Sequence, residues 1–240
     1  MAAKLKSISG QIHWSLLLRA VAFGLGWFVL PFWLFVILAL YFYLIPFFGI
    51  KKFALPFSAI IFFAAIEPKN ALFAVIFAGA FYLIFGVKDL IFIERKPAYE
   101  TLAMLLAFFA FIDFFSHFDS WDGWWTFLCV FIAGIFIFLV TRGFFNYGVE
   151  SDIFAREKFR QGWVFAAIVG LVSAETMIVG LFLPLNYLYQ SALAFLATAL
   201  ATEFSSEYLE GKLVRRTMLA NLSIFLAFAV IILGSANWTP

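Results

Sequence analysis

The sequence predicts an all-α, polytopic integral membrane helical bundle, and three observations predict it. First, 65% of the 240 residues belong to the set AVILMFWYC, only 12% are charged, and the mean hydropathy is +1.04. A soluble domain averages about 45–50% apolar and about 25% charged residues, so no water-soluble fold could hide this much apolar side chain. Second, the apolar runs follow one another almost end to end, separated by charge, Pro or Gly, as successive membrane segments require. Third, Lys and Arg fall almost entirely into alternate connectors, as they do where one side of a bilayer is cytoplasmic.

About nine hydrophobic segments result, at 12–30, 31–49, 53–66, 69–86, 98–116, 123–141, 163–184, 186–203 and 216–234, of which seven to nine span. Met1 to Ser9 carries Lys4 and Lys6 ahead of an apolar run, as a signal peptide would. Arg19 breaks the early core and hydrophobicity continues to Phe48, so this reads as an uncleaved first helix. Pro31 splits a run too long for one helix, because proline is tolerated at a helix start and removes a hydrogen bond inside one. Segment 53–66, about 14 residues or roughly 21 Å, is short for a ~30 Å core. With its neighbour across Glu67–Asn70 it either spans or dips as a re-entrant hairpin. Leu-Pro-Phe at 30–32 and 55–57, with Leu-Pro-Leu at 183–185, suggests a helix-start device used three times.

Two connectors on the charged side are longer than the others, at 142–162 and 205–215. The first is expected to hold a short helix with Ser151 as N-cap, Asp152 in its first turn, and Lys158 and Arg160 near its end. The second would be capped by Ser205 or Ser206. The whole of 1–240 is read as one multi-pass transmembrane domain.

All of the sixteen Lys and Arg except Arg19 and Lys69 lie on the side of the N-terminus in this segmentation. The positive-inside rule then puts the N-terminus in the cytoplasm and the C-terminus outside, most simply in a bacterial inner membrane. Trp121, Trp124, Trp125 and Trp238 gather on the other side, where indole favours the interface.

A net charge of +2 argues against nucleic acid as a partner. Cys129 is the one cysteine, so no disulfide or cysteine-based metal site forms within the chain, and it reads as a small buried hydrophobe. The 36 Phe suit lipid contact and helix packing, because the ring has no polar group to satisfy. No phosphate loop, zinc helix or nucleophile elbow occurs, so no cofactor is expected. The partners expected are the bilayer itself and membrane proteins met at the two long connectors.

An ionisable residue inside a membrane helix is a functional candidate by default. Glu175, near the middle of 163–184, is the foremost: as a functional group it is an ion or proton site, and as a structural one a carboxyl bonded to a neighbouring helix. Asp113 and His117 are four apart, hence on one helical face. With Asp119 and Asp122 they form a set that can ligate a divalent metal or relay protons, or simply a solvated loop. Arg19 snorkels to the headgroups or pairs with Glu203 or Glu100. Asn221 is expected to bond another helix, and His13 reads as interfacial.

The stretch Ala174-Glu175-Thr176-Met177-Ile178-Val179-Gly180 resembles, faintly, the Glu-Glu-x-x-x-Arg-Gly stretch of the CAAX-protease-like family, and Phe195 to Ala199 its Phe-x-x-x-His. Ala174, Val179 and Ala199 replace the first Glu, the Arg and the His, so the groups that would activate water are missing. The reading that the residues favour is therefore a non-catalytic membrane subunit or scaffold. The alternatives are a small-solute, ion or proton transporter or channel using Glu175, and an interfacial enzyme using Asp113, His117, Asp119 and Asp122.

Overall fold

The computed structural model describes residues 14–45, 50–89, 95–118, 123–149 and 155–235, with the side chains of 95, 147–149 and 155–159 left aside. Among the described residues all regular structure is helical: α1 Trp14–Val29, α2 Phe32–Leu44, α3 Ile50–Ile66, α4 Ala71–Lys88, α5 Arg95–His117, α6 Trp124–Val149, α7 Ala155–Leu181, α8 Tyr187–Leu209 and α9 Arg215–Ser235. Each expected segment corresponds to one helix. Five spans, Ala71–Lys88, Lys96–His117, Trp124–Asn146, Arg160–Leu181 and Arg215–Ser235, are long and apolar enough to cross a bilayer. Large apolar side chains lie exposed along these helices, Val75, Phe131, Leu171 and Val230 among them, which is stable where lipid is the solvent. The chain is a helical membrane protein.

The ends differ from expectation in an informative way. α6 has 26 residues and α7 has 27, about 39 and 40 Å at helical rise, which exceeds a ~30 Å core. The connector 142–162 is thus mostly the polar ends of these two helices; Ser151 and Asp152 lie outside the described residues. Ser205 and Ser206 do not start a new helix. Both lie inside α8, where the Ser205 hydroxyl donates to the Ala201 carbonyl at 2.6 Å, a bond available only within a continuing helix. The Leu-Pro device holds once. Pro31 is the N-cap of α2, whereas Pro56 is buried in the interior of α3 and Pro184 follows the end of α7. Tertiary packing of Phe53, Phe57 and Ile60 on both sides of Pro56 carries the helix through it.

The helices fall into two compact units, Met1–Leu102 and Ala103–Pro240. In the first, α1 and α4 run antiparallel, since Trp27 meets Phe77 and Phe23 meets Phe81 and Phe85. Gly24 makes the approach possible: a Cβ there would stand 2.6 Å from the Ala74 carbonyl oxygen. The core is aromatic. Phe23 stacks on Phe81 at 4.3 Å between centroids, Phe35 and Phe57 meet Phe81 edge-on, and Tyr43 stacks on Phe57 at 4.0 Å. The Trp27 indole N–H donates to the Ala64 carbonyl at 2.7 Å, tying α1 to α3.

In the second unit α7 packs against α6 on one side and α8 on another, and α9 packs on α8. The α6–α7 crossing is made at Gly134 and Gly170, where a Cβ on Gly170 would lie 2.9 Å from the Gly134 carbonyl oxygen. Ala166, Gly170 and Ala174 recur every four residues, the small-residue spacing that lets membrane helices approach closely. At one end of that crossing the Arg142 guanidinium lies 3.6 Å over the Trp163 ring.

Candidate functional site

The α7–α8 seam is where polar groups concentrate. The buried positions of α8 are Gln190, Ser191, Ala194, Thr198, Thr202 and Ser205, every one small or polar. In lipid the outward face must be apolar, so the hydrogen-bonding residues turn toward protein. The Ser173 and Thr198 hydroxyls bond across the two helices at 2.8 Å, both fully buried. The Gln190 amide donates to the carbonyls of Gly180 and Leu183 at 2.9 and 3.1 Å, a second donor for each beside the Leu183 and Leu185 N–H groups, and so ties the start of α8 to the end of α7. Asn186 caps α8 by accepting from the Leu188 N–H at 3.0 Å.

Glu175 does not join this seam. On α7 the buried residues Gly162, Ala166, Val169, Gly170, Ser173, Met177 and Gly180 form one face, and Glu175 stands on the opposite one, exposed. Its neighbours along that face are Val164, Ile168, Leu171, Val179 and Phe182, between 44 and 69% exposed. Among the described residues Glu175 makes no hydrogen bond or ion pair; the adjacent Thr176 hydroxyl donates to its own helix at Val172 and Ser173 instead. An apolar groove of about 410 Å³ does exist, but in the first unit, between α1 and α4, lined by residues such as Leu17, Ala20, Gly24, Ala78, Gly79 and Tyr82. No carboxylate lines it.

Asp113 and His117 do meet, as their spacing predicts: Nδ1 lies 3.5 Å from the Asp113 carboxylate and 2.8 Å from the Asp113 carbonyl oxygen, with the Ser116 hydroxyl at 3.2 Å. The imidazole is thereby engaged at the end of its own helix. Asp119 and Asp122 lie outside the described residues, as does His13. Among the described residues no three His, Cys, Asp or Glu side chains gather where they could hold a metal.

An ionic cluster in the first unit escaped the sequence reading. Lys88, expected as a connector charge, is fully buried at the end of α4. Its ammonium lies 3.4 Å from the Asp89 carboxylate and 5.4 Å over the Tyr43 ring. Arg19 reaches the other Asp89 oxygen at 3.6 Å, and not Glu100 of the same unit. The Tyr43 hydroxyl donates to the Ile50 carbonyl, which fixes the ring beneath the ammonium. The one available signal was the dipeptide Lys88-Asp89 at the end of an apolar run. Asn221 also departs from expectation, because its Nδ2 is buried without a hydrogen-bond partner among the described residues.

Comparison of the chain with family models, with curated proteins and with solved structures finds no match.

Proposed function

We propose that this chain is a non-catalytic subunit of a membrane assembly, associating with another membrane helix through the outward face of α7. The observation that carries the proposal is the position of Glu175, central on the face turned away from its own bundle. A carboxyl left there against acyl chains is costly, and a partner helix that offers it a hydrogen bond removes the cost. Exposed Arg160 and Gln161 extend the same side of the molecule toward the 142–162 connector, where membrane-protein partners were expected. The distribution of Lys and Arg supports an inner-membrane protein with its N-terminus in the cytoplasm and its C-terminus outside.

Purification from native membranes in mild detergent tests the subunit reading. The chain should emerge in a complex larger than one copy, weakened by Glu175→Leu; a monodisperse single-chain particle would overturn the proposal. The rival reading, ion or proton transport through Glu175, predicts loss of flux in proteoliposomes on Glu175→Gln with assembly unchanged. For orientation, in a Cys129→Ala background, Ser120→Cys should label from outside and Ser151→Cys only from inside.

A further inference from the structure

We propose that the groove between α1 and α4 seats an acyl chain of an anionic phospholipid whose phosphate is held by Arg19. The site is independent of the α7 contact. Small residues leave the groove open: Ala20, Gly24, Ala74 and Ala78 line it, and a Cβ on Gly79 would meet nothing within 4 Å. Val21, Leu25 and Val75, also in its lining, are exposed, so it opens toward lipid. From Leu17 to Leu25 it runs about 12 Å at helical rise, most of the ~15 Å depth of one leaflet.

Positive charge stands at one end of this groove. Asp89 follows Tyr82 by seven residues, hence on the same face of α4 two turns further on. Arg19 meets Asp89 there, which puts the guanidinium at the end marked by Leu17 and Tyr82. A guanidinium has five donors. Among the described residues the one polar contact of Arg19 is this ion pair at 3.6 Å, longer than the roughly 2.7–2.9 Å of a charge-assisted hydrogen bond, and its side chain is 44% exposed. Asp89 is also shared with Lys88. The Tyr43 hydroxyl, bonded to the Ile50 carbonyl, brings the start of α3 to the same end, where exposed Lys51 and Lys52 add positive charge. A phosphodiester offers the paired oxygens that an arginine fork takes, and basic pockets beside membrane helices hold anionic headgroups by this chemistry. Its acyl chain continues into the apolar groove, which a free anion has no means to fill.

Native mass spectrometry of the full chain in detergent micelles tests the site, with dioleoyl phosphatidylglycerol and dioleoyl phosphatidylcholine as probes. The wild type should retain one phosphatidylglycerol in preference to phosphatidylcholine. Arg19→Gln should lower that preference about fivefold, the weight of one cation against anionic lipid, and Arg216→Gln on exposed α9 should leave it unchanged. Gly79→Leu should remove the bound lipid with Arg19 intact, because the added side chain fills the groove; Val75→Trp, at an exposed lining position, blocks the same groove should Gly79→Leu not fold. Glycerol 3-phosphate, which has the anion and no chain, should not bind. Equal retention of the two lipids, an Arg216→Gln effect as large as that of Arg19→Gln, or full retention with the groove filled overturns the proposal. Glycerol 3-phosphate binding as tightly as the lipid overturns it too, since the ligand is then a free phosphate.

Discussion

Replacing Gly24 by alanine tests the helix crossing on which the first unit is built. The added Cβ would stand 2.6 Å from the Ala74 carbonyl oxygen and 2.9 Å from the Ala78 Cβ, where ordinary contact begins at 3.4 Å. The difference between 3.4 and 2.6 Å requires α1 and α4 to part by about 0.8 Å, because the obstacle is backbone and cannot rotate away. Separation on that scale forfeits about a quarter to a half of each dispersion contact along the crossing, including the Phe23–Phe81 stack at 4.3 Å and the Trp27–Phe77 pair at 4.9 Å. Overpacking of this kind costs about 1–3 kcal/mol. Gly79→Ala, on the facing helix, is the internal control: its Cβ meets nothing within 4 Å. Both variants gain the same helix propensity, up to about 1 kcal/mol, so that contribution cancels in the comparison. Gly24→Ala should therefore be about 1–3 kcal/mol less stable than Gly79→Ala, read by SDS-titrated or thermal unfolding in mixed micelles. Equal stabilities would refute the close crossing of α1 and α4.

Gln190→Leu should destabilise the second unit by about 1 kcal/mol in the same assay, because the Gly180 and Leu183 carbonyls each lose one of two donors and keep a backbone N–H; retention of wild-type stability would show that the bonds carry nothing. A double-mutant cycle with Ser173→Ala and Thr198→Val should return a coupling of about 0.6 kcal/mol, and certainly below 2, as interhelical hydrogen bonds in membranes do. Asp89→Ala should cost about 1–3 kcal/mol by removing the carboxylate that meets both Lys88 and Arg19, while Lys88→Met, which leaves Asp89 with Arg19, should cost less; the reverse order would mean that the cluster does not hold the end of α4 in place.

The sequence alone determined the class of the molecule and the placement of its helices, because both depend on runs of apolar residues that are local in the chain. Long stretches such as 69–86 and 216–234 need no tertiary information to become helices in lipid, where every backbone group must be satisfied within its own segment. Helix ends were less legible. The polar turns that carry α6 to Val149 and α8 past Ser205 look like connectors to a reading that follows hydrophobicity.

What only the tertiary structure decided is which face of each helix turns inward. In water the apolar stripe marks the core, but in a bilayer the core and the solvent are equally apolar, so a helix such as α7 is hydrophobic all round and its pattern points nowhere. That is why Glu175, plain in the sequence as a candidate, could be placed outward only by the small residues Gly170 and Ala174 packing on the other side. It is also why Lys88 passed for a connector charge: the Asp89 carboxylate and the Tyr43 ring that accommodate it are brought together by the folding of α2 against α3 and α4, a juxtaposition that no local spacing encodes.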